Sequence, residues 1–353
     1  MSKPLSILFY IAYPYYFPHF LPIGKELKKR GHKTTYVLST KQNTKLMKKI
    51  AKENDLDYTF GEEELFNLSA NYIFFANIFE NHEKINAKKV YMDHGVGTKA
   101  CDFGTALETN DLVLVEGEYR FSTLNRDFPH YKEKIKKVGF SKLDEVIHFS
   151  EEEREKYISK YNLNTNKKTI LYAPTFFPAS IEKMSKTFPE DFKEFNIIVK
   201  PHYISLHRTR YKGQQKQFKR WEAYDNCTIC SADEYSLVPF LNICDIMISD
   251  ESSAIFEFTA LDKPVILNRF LKLRWSYYLS PKKLLSRLDS GIESYREIGD
   301  NANSYQEMVS MLKENINHPK KYKKVREEYS NDICGKADGK VSERIVQLLE
   351  DFG

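Results

Sequence analysis

Apolar runs of four to eight residues recur along the chain, separated by segments with helical spacing, and this double period predicts an α/β protein. Residues 5–12 (LSILFYIA) read as a buried strand, residues 20–30 as a helix closed by Gly31, and residues 33–39 as the next strand. Lys28, Lys29 and Arg30 fall in the last turn of that helix, where cations complement its dipole. Further strands are expected at 89–92, 111–116 and 135–138. After a polar stretch at 162–168, others are expected at 169–173, 196–200, 227–231, 245–249 and 264–267. Strands that alternate with helices in this way form parallel, doubly wound sheets. The expected architecture is two Rossmann-like domains facing across a cleft. They span residues 1–162 and 168–335, and segment 336–353 carries a helix, 341–352, that crosses back to the first domain.

The pattern is tightest over residues 232–268. There a strand at 245–249 runs into the polar turn of Asp250, Glu251, Ser252 and Ser253, then a helix at 254–260 and a strand at 264–267. Ligands of such units collect at the carboxyl ends of strands, where the following helix offers unpaired backbone N–H groups. Asp250, Ser252 and Ser253 therefore occupy an anion-binding corner, with Ser252 either a plain N-cap or a phosphate contact. Glu257, five residues after Ser252, is placed to reach a ribose hydroxyl.

Strand 89–92 leads into Asp93-His94-Gly95-Val96-Gly97-Thr98-Lys99. Two glycines in three residues allow close backbone approach, and they set His94, with Lys99 nearby, at a strand end. The ring is read as a catalytic group or as a buried, hydrogen-bonded histidine. In the second half, Ala173-Pro174-Thr175-Phe176 and Lys200-Pro201-His202 also end strands, and Asp233 follows strand 227–231. The loop after the first strand is Tyr13-Pro14-Tyr15-Tyr16-Phe17-Pro18-His19, without a Gly-rich fingerprint, which argues against NAD or FAD. Its aromatics and His19 either face the cleft and meet an acceptor or pack on their own domain.

The 353 residues include 54 Lys and Arg against 49 Asp and Glu, a net +5, which suits anionic ligands but is too small to argue for nucleic acid. The apolar run at the N-terminus is too short for a signal peptide and flows into the aromatic loop, so a cytoplasmic protein is expected. The basic amphipathic segment 42–53, with Lys45, Lys48, Lys49 and Lys52, either rests on an anionic membrane face or packs on one side. Residues 205–224 are basic and long, a solvated surface or a grip on a polyanion. Five cysteines and the lone Cys227-Thr228-Ile229-Cys230 pattern lack the further ligands of a zinc site. No metal or cofactor is expected.

Taken in order, four motifs resemble the CDP-glycerol glycerophosphotransferases, the teichoic-acid and capsule polymer enzymes of bacteria. They are the His94 segment, Ala173-Pro174-Thr175-Phe176, Lys200-Pro201-His202, and Ser249-Asp250-Glu251-Ser252-Ser253 with Glu257, and they span residues 90–268. Gly139-Phe140-Ser141-Lys142-Leu143-Asp144 resembles that family's GxPxxD-like turn but lacks the proline. Pro201 precedes His202 where the family usually places a proline after the histidine. The resemblance implies a GT-B-like fold and transfer of glycerol phosphate, or a similar polyol phosphate, from a CDP-polyol to a hydroxyl of a lipid-linked or polymeric anionic acceptor, releasing CMP. It makes His94 the general base and His202 a second catalytic group. Gly95, Lys99, Lys142, Thr175, Lys200, Asp233, Asp250, Ser252, Ser253 and Glu257 become the substrate contacts. The other readings are a GT-B glycosyltransferase using a nucleotide sugar, a UDP-N-acetylglucosamine epimerase-like isomerase, and a non-catalytic nucleotide-binding partner.

Overall fold

The structure is a computed structural model that describes residues 3–96, 102–250, 252–273, 277 and 295–352. Lys99 and Glu251 lie outside the described residues. Internal contacts divide the chain into two units. The first holds Met1–Val96, Cys101–His148 and Asp332–Gly353, and the second holds Phe149–Asn331.

In the first unit, the described strands are β1 (Ser6–Ile11), β2 (Lys33–Leu38), β3 (Tyr58–Phe60), β4 (Tyr72–Phe75), β5 (Lys88–Met92), β6 (Leu112–Val115) and β7 (Ile135–Lys137). They form one parallel sheet in the order β3-β2-β1-β4-β5-β6-β7, with Phe9 paired to Tyr36 on one side and Phe74 on the other. From Ile7 to Ile11, β1 is buried and largely apolar because both its faces are covered, as parallel sheets require. Phe9, Phe20 and Phe74 are fully buried and their rings lie 5.1–6.1 Å apart. β4 escaped the sequence reading because four apolar residues in isolation carry too little periodicity. The helix Val341–Phe352 belongs to this unit: Tyr72 Oη donates to the Leu349 carbonyl (3.0 Å), and Glu350 pairs with Arg30 (2.8 Å) and His32 (2.9 Å). The Asp144 carboxylate accepts the N–H groups of Val341 and Ser342 at 3.0 and 2.7 Å, which caps that helix.

The second unit repeats the plan with β8 (Thr169–Tyr172), β9 (Asn196–Val199), β10 (Cys227–Ile229), β11 (Ile246–Ser249), β12 (Val265–Asn268) and β13 (Asp300–Ala302), parallel and ordered β10-β9-β8-β11-β12-β13. β13, the polar run Asp-Asn-Ala, is a strand only through its ladder to β12. The core centres on Tyr172, Phe188, Phe192 and Trp221. The helix Glu151–Lys160 falls in this unit, ahead of the boundary expected at 162, because Tyr157 and Tyr161 pack on Phe240 at 6.3 and 5.5 Å.

Both basic segments pack one side into the protein. Residues 205–224 form a short helix, Tyr203–His207, and a longer one, Lys212–Trp221, whose Gln214, Gln217, Phe218 and Trp221 are buried. Only its basic side faces water. Thr44–Glu53 buries Leu46, Met47, Ile50 and Ala51 in its own unit and leaves Lys45, Lys48, Lys49 and Lys52 exposed. No helix among the described residues is long and apolar enough to cross a membrane.

Candidate functional site

Both sheets reverse strand order beside their first strand, between β1 and β4 and between β8 and β11. In doubly wound sheets, ligands settle at the carboxyl ends of the strands around such points. Of the candidate residues, His94 follows β5, next to β4, while Thr175 follows β8 and Asp250, Ser252 and Ser253 follow β11.

In the first unit, Asp93 and His94 leave the end of β5. His94 Nδ1 lies 3.0 Å from the Ala76 carbonyl, just past β4, and 3.1 Å from Asp93 Oδ1. Both neighbours only accept hydrogen bonds, so Nδ1 carries the proton and Nε2 carries the lone pair. Asp93 Oδ1 also takes the His94 backbone N–H at 2.7 Å, and Asp93 is 7% exposed. A buried carboxylate fixed in this way orients the ring and favours the imidazolium form. The His94 side chain is 40% exposed, which leaves it accessible to a substrate. Tyr15 and Tyr16, from the loop after β1, pack on the ring at 5.7 and 4.9 Å between centroids. Tyr13 stacks on Tyr15 at 5.1 Å. The aromatic loop is thus the wall of the His94 corner. Gly95 is half-buried in the same turn, and Lys142 is buried at the start of the helix Lys142–Ile147.

Glu116 follows β6 and is fully enclosed. Burial pushes its carboxyl up to about 7, with Arg120 pulling it down and Asp93 adding to the rise. His19, on the helix Phe17–Lys29, is 2% exposed, and burial, then the charges of Lys142 and His94, hold it well below the usual imidazole range.

In the second unit, His202 ends the segment after β9 and is the N-cap of Tyr203–His207. Its Nδ1 accepts the Ile204 N–H at 3.1 Å. That bond reverses the His94 arrangement: Nδ1 holds the lone pair and Nε2 the proton. His202 packs on Phe176 at 4.8 Å. The Phe176 carbonyl accepts from Gln214 at 3.0 Å, which braces the turn that carries Thr175, itself buried. Lys200, half-buried, is tied to β8 by its backbone N–H to the Tyr172 carbonyl at 2.8 Å. Asp233 is exposed in the loop after β10.

Three features shape the corner after β11. The N-cap of Ala254–Thr259 is Ser253, with helical backbone angles, and Ser252 Oγ accepts the Ala254 N–H at 3.3 Å, one residue early. Asp250, 2% exposed, accepts the Ser180 backbone N–H at 3.2 Å and its hydroxyl at 2.5 Å. Its carboxylate thereby ties the loop after β8 to the end of β11, because the Ser180 hydroxyl also meets Tyr172 Oη (2.8 Å) and Asn268 Nδ2 (3.0 Å). Glu257 is buried at 3% exposure. Ser180, Asn268 and Ala76 were missed as site-building residues because an isolated serine, asparagine or carbonyl carries no signal before the loops are folded.

Known proteins share this fold across different activities. A wall teichoic acid polymerase, TagF, superposes with a TM-score of 0.74 at 16% identity over 99% of this chain and 89% of that one. A Staphylococcus aureus MnaA structure with UDP gives a TM-score of 0.65 at 14% identity over 99% and 96%. In sequence, the teichoic acid glycerol-phosphate primase of Bacillus subtilis is 24% identical over 71% of this chain and 60% of its own length. The primase of Bacillus spizizenii is 35% identical over 31% of this chain and 27% of its own. The chain thus spans between about a quarter and three fifths of these two curated relatives. The sequence profile of CDP-Glycerol:Poly(glycerophosphate) glycerophosphotransferase matches residues 23–351, nearly the whole chain, and the protein belongs to that family.

Proposed function

We propose that this chain transfers glycerol phosphate from CDP-glycerol to a hydroxyl of a lipid-linked or polymeric glycerophosphate acceptor and releases CMP. The observation that carries this reading is the hydrogen bonding of His94, which leaves the Nε2 lone pair to act as a base. The acceptor oxygen attacks the β-phosphorus of CDP-glycerol as His94 Nε2 takes its proton. The new P–O bond forms as the bond from that phosphorus to the bridging oxygen breaks, and CMP leaves with the electron pair. Asp93 stabilises the imidazolium that results. The transfer demands positioning and charge neutralisation more than covalent catalysis.

The second unit suits the donor. His202 Nε2–H and Lys200 are donors for the phosphates and for the charge that collects on the leaving CMP. Thr175, Ser252 and Ser253 add polar groups at the same strand ends. Glu257 is assigned to the ribose and Asp233 to the outer edge of the nucleotide. Asp250 acts through Ser180, by holding the two loops in register. Gly95 and Lys142 serve the acceptor side with His94, and Lys99 is assigned there from the sequence. The exposed lysines of Thr44–Glu53 form the contact with an anionic membrane surface, and that contact is electrostatic because the apolar side of the helix is buried.

The test is CMP release from CDP-glycerol, with and without a poly(glycerophosphate) acceptor, by wild type and His94→Ala. The expected result is acceptor-dependent release that falls by about 10²–10⁴ in the variant, the range for a general base. Release by the variant at the wild-type rate, or none by wild type with any phosphate-bearing acceptor, would remove the reading.

A further inference from the structure

Without residues 195–221 the protein would be net negative: they carry seven lysines and arginines and no acid, +7 against +5 for the whole chain. Six of the seven, Arg208, Arg210, Lys212, Lys216, Lys219 and Arg220, are exposed. On the helix Lys212–Trp221 the last four stand at i, i+4, i+7 and i+8, within an arc of about 100° and along roughly 12 Å of its axis. Gln214, Gln217, Phe218 and Trp221 are buried on the opposite side.

No carboxylate answers this row. Among the described residues, Arg208, Arg210, Lys212, Lys216 and Lys219 enter no ion pair, and Arg220 donates to the neutral Gln217 at 3.2 Å. Glu182 meets the helix on its buried side, at Gln214 Nε2 (3.4 Å). Lysines on other helices are matched along their own helix, Lys49 with Glu53 at 4.0 Å and Lys323 with Glu327 at 3.2 Å. Like charges three and four residues apart oppose the helix that carries them, and Lys212 at its first position opposes the dipole as well. That start has no side-chain cap and continues with Gly213, where a Cβ would meet nothing within 4 Å, so packing asks for no glycine there. An anion laid along the row would offset the repulsion. The row begins beside the ligand corner of its unit: the rings of His202 and Tyr211 both pack on Phe176, at 4.8 and 6.1 Å, and the Arg210 guanidinium lies 6.0 Å from the Tyr211 ring. None of the large exposed apolar side chains among the described residues falls in this segment, so it has nothing to insert into a membrane. A chain of glycerol phosphates is a linear polyanion with one charge per repeat, and lysines one turn apart, about 6 Å, are spaced to meet successive phosphates.

We propose that the exposed face of residues 208–220 is a holding site for the phosphodiester chain of the acceptor, gripping phosphates behind the reacting end and keeping the polymer bound between additions. The proposal rests on the glycerophosphotransferase reading and adds a surface outside the transfer chemistry, together with the substrate class it favours: an acceptor of several phosphates over one of a single unit.

The probe is fluorescently labelled poly(glycerol phosphate), short and long, titrated into the full chain, with CDP-glycerol and phosphatidylglycerol vesicles measured beside it. Polymer affinity is expected to rise with chain length, because several phosphates are held at once, and to fall about tenfold or more between about 50 and 200 mM salt. The triple variant Lys212→Gln, Lys216→Gln, Lys219→Gln should bind the long polymer about tenfold more weakly or worse, and the matching Lys→Arg triple should bind it as wild type does. Affinity for CDP-glycerol and for vesicles should be the same in all three proteins. In turnover the Gln triple should raise the KM for long acceptors, leave kcat and the KM for a single-unit acceptor in place, and yield shorter products. Unchanged polymer affinity in the Gln triple, or a loss seen with vesicles or CDP-glycerol in place of the polymer, would overturn the proposal. Should the triple variant fail to fold, Lys216→Glu alone decides by the same titration. Polymer binding is read without turnover, so absence of CMP release by wild type would count against the transferase reading and not against the holding site.

Discussion

Two histidines of the same chain hold opposite tautomers, and the reason lies in one hydrogen bond each. A carbonyl beside His94 Nδ1 demands a donor there, and a backbone N–H beside His202 Nδ1 demands an acceptor. The first ring is thereby equipped to take a proton and the second to give a hydrogen bond. His202→Asn keeps an acceptor for the Ile204 N–H but has no group where Nε2–H stands. It should lower kcat while leaving the melting temperature within about a degree, whereas His202→Ala should also lose about 1 kcal/mol of helix cap. Calorimetry beside the CMP assay separates the two, and equal melting losses in both variants would show the ring to be structural only. Glu116 gives a pH-dependent check on the Asp93 side of the first unit. Its folded value of about 7 lies above the ordinary 4.5, chiefly through burial. Between those values the folded state holds a proton that the unfolded chain has released. Stability therefore falls as pH rises across this window, and the loss is complete above it. The loss is on the order of 3 kcal/mol at most. The fall in melting temperature from pH 5 to pH 8 should be smaller in Glu116→Gln than in wild type. Equal falls would place Glu116 in a wetter site than the structure gives it.

At the scale of elements, a helix read from sequence shows only its composition, and the structure shows which side is spent on packing. Thr44–Glu53 has the lysine-rich amphipathic pattern of a membrane-surface helix, yet Leu46, Met47 and Ile50 are buried in their own unit. What remains is a row of four lysines, each worth about 1 kcal/mol near an anionic surface. Co-sedimentation with phosphatidylglycerol vesicles is expected at low ionic strength. It should disappear in 0.5 M salt, with neutral vesicles, and in a variant with Lys45, Lys48, Lys49 and Lys52 all changed to Gln. Retention on neutral vesicles would mean that apolar groups insert after all. The same contrast explains what the sequence made legible. β1, β2, β5, β8, β9 and β11 each carry an apolar stretch closed by turn residues, and their expected bounds agree with the structure to within two residues. β13 is polar and β4 only four residues long, so their identity as strands comes from partners far away in the chain. The His94 and His202 corners were visible because strand ends carry loop chemistry in short motifs. Asp250 was visible but its use was not: only the folded chain brings Ser180 to its carboxylate. His19 is read from the sequence with its aromatic loop as facing an acceptor or packing on its own domain, and the folded chain buries it, with its carbonyl held by the Ser141 hydroxyl.

For the whole molecule, two parallel sheets with the same winding give nucleotide corners to proteins of unlike chemistry. The fold is shared with a wall teichoic acid polymerase and also with Staphylococcus aureus MnaA, whose structure holds UDP. Architecture therefore does not choose the reaction, and side chains at the strand ends must. This chain places a histidine oriented by Asp93 at a strand end of the first unit, and its net charge of +5 favours polyanions. An isomerase needs no second substrate, so acceptor dependence is the property that divides the readings. With UDP-N-acetylglucosamine alone, neither UDP nor the epimer should appear. With CDP-glycerol and polymer, CMP should appear in a one-to-one ratio with glycerol phosphate incorporated. That release should slow as salt rises, because the acceptor is drawn in by charge. Epimer formation from the UDP-sugar at a rate matching CMP release would transfer the chain to the other branch of its fold.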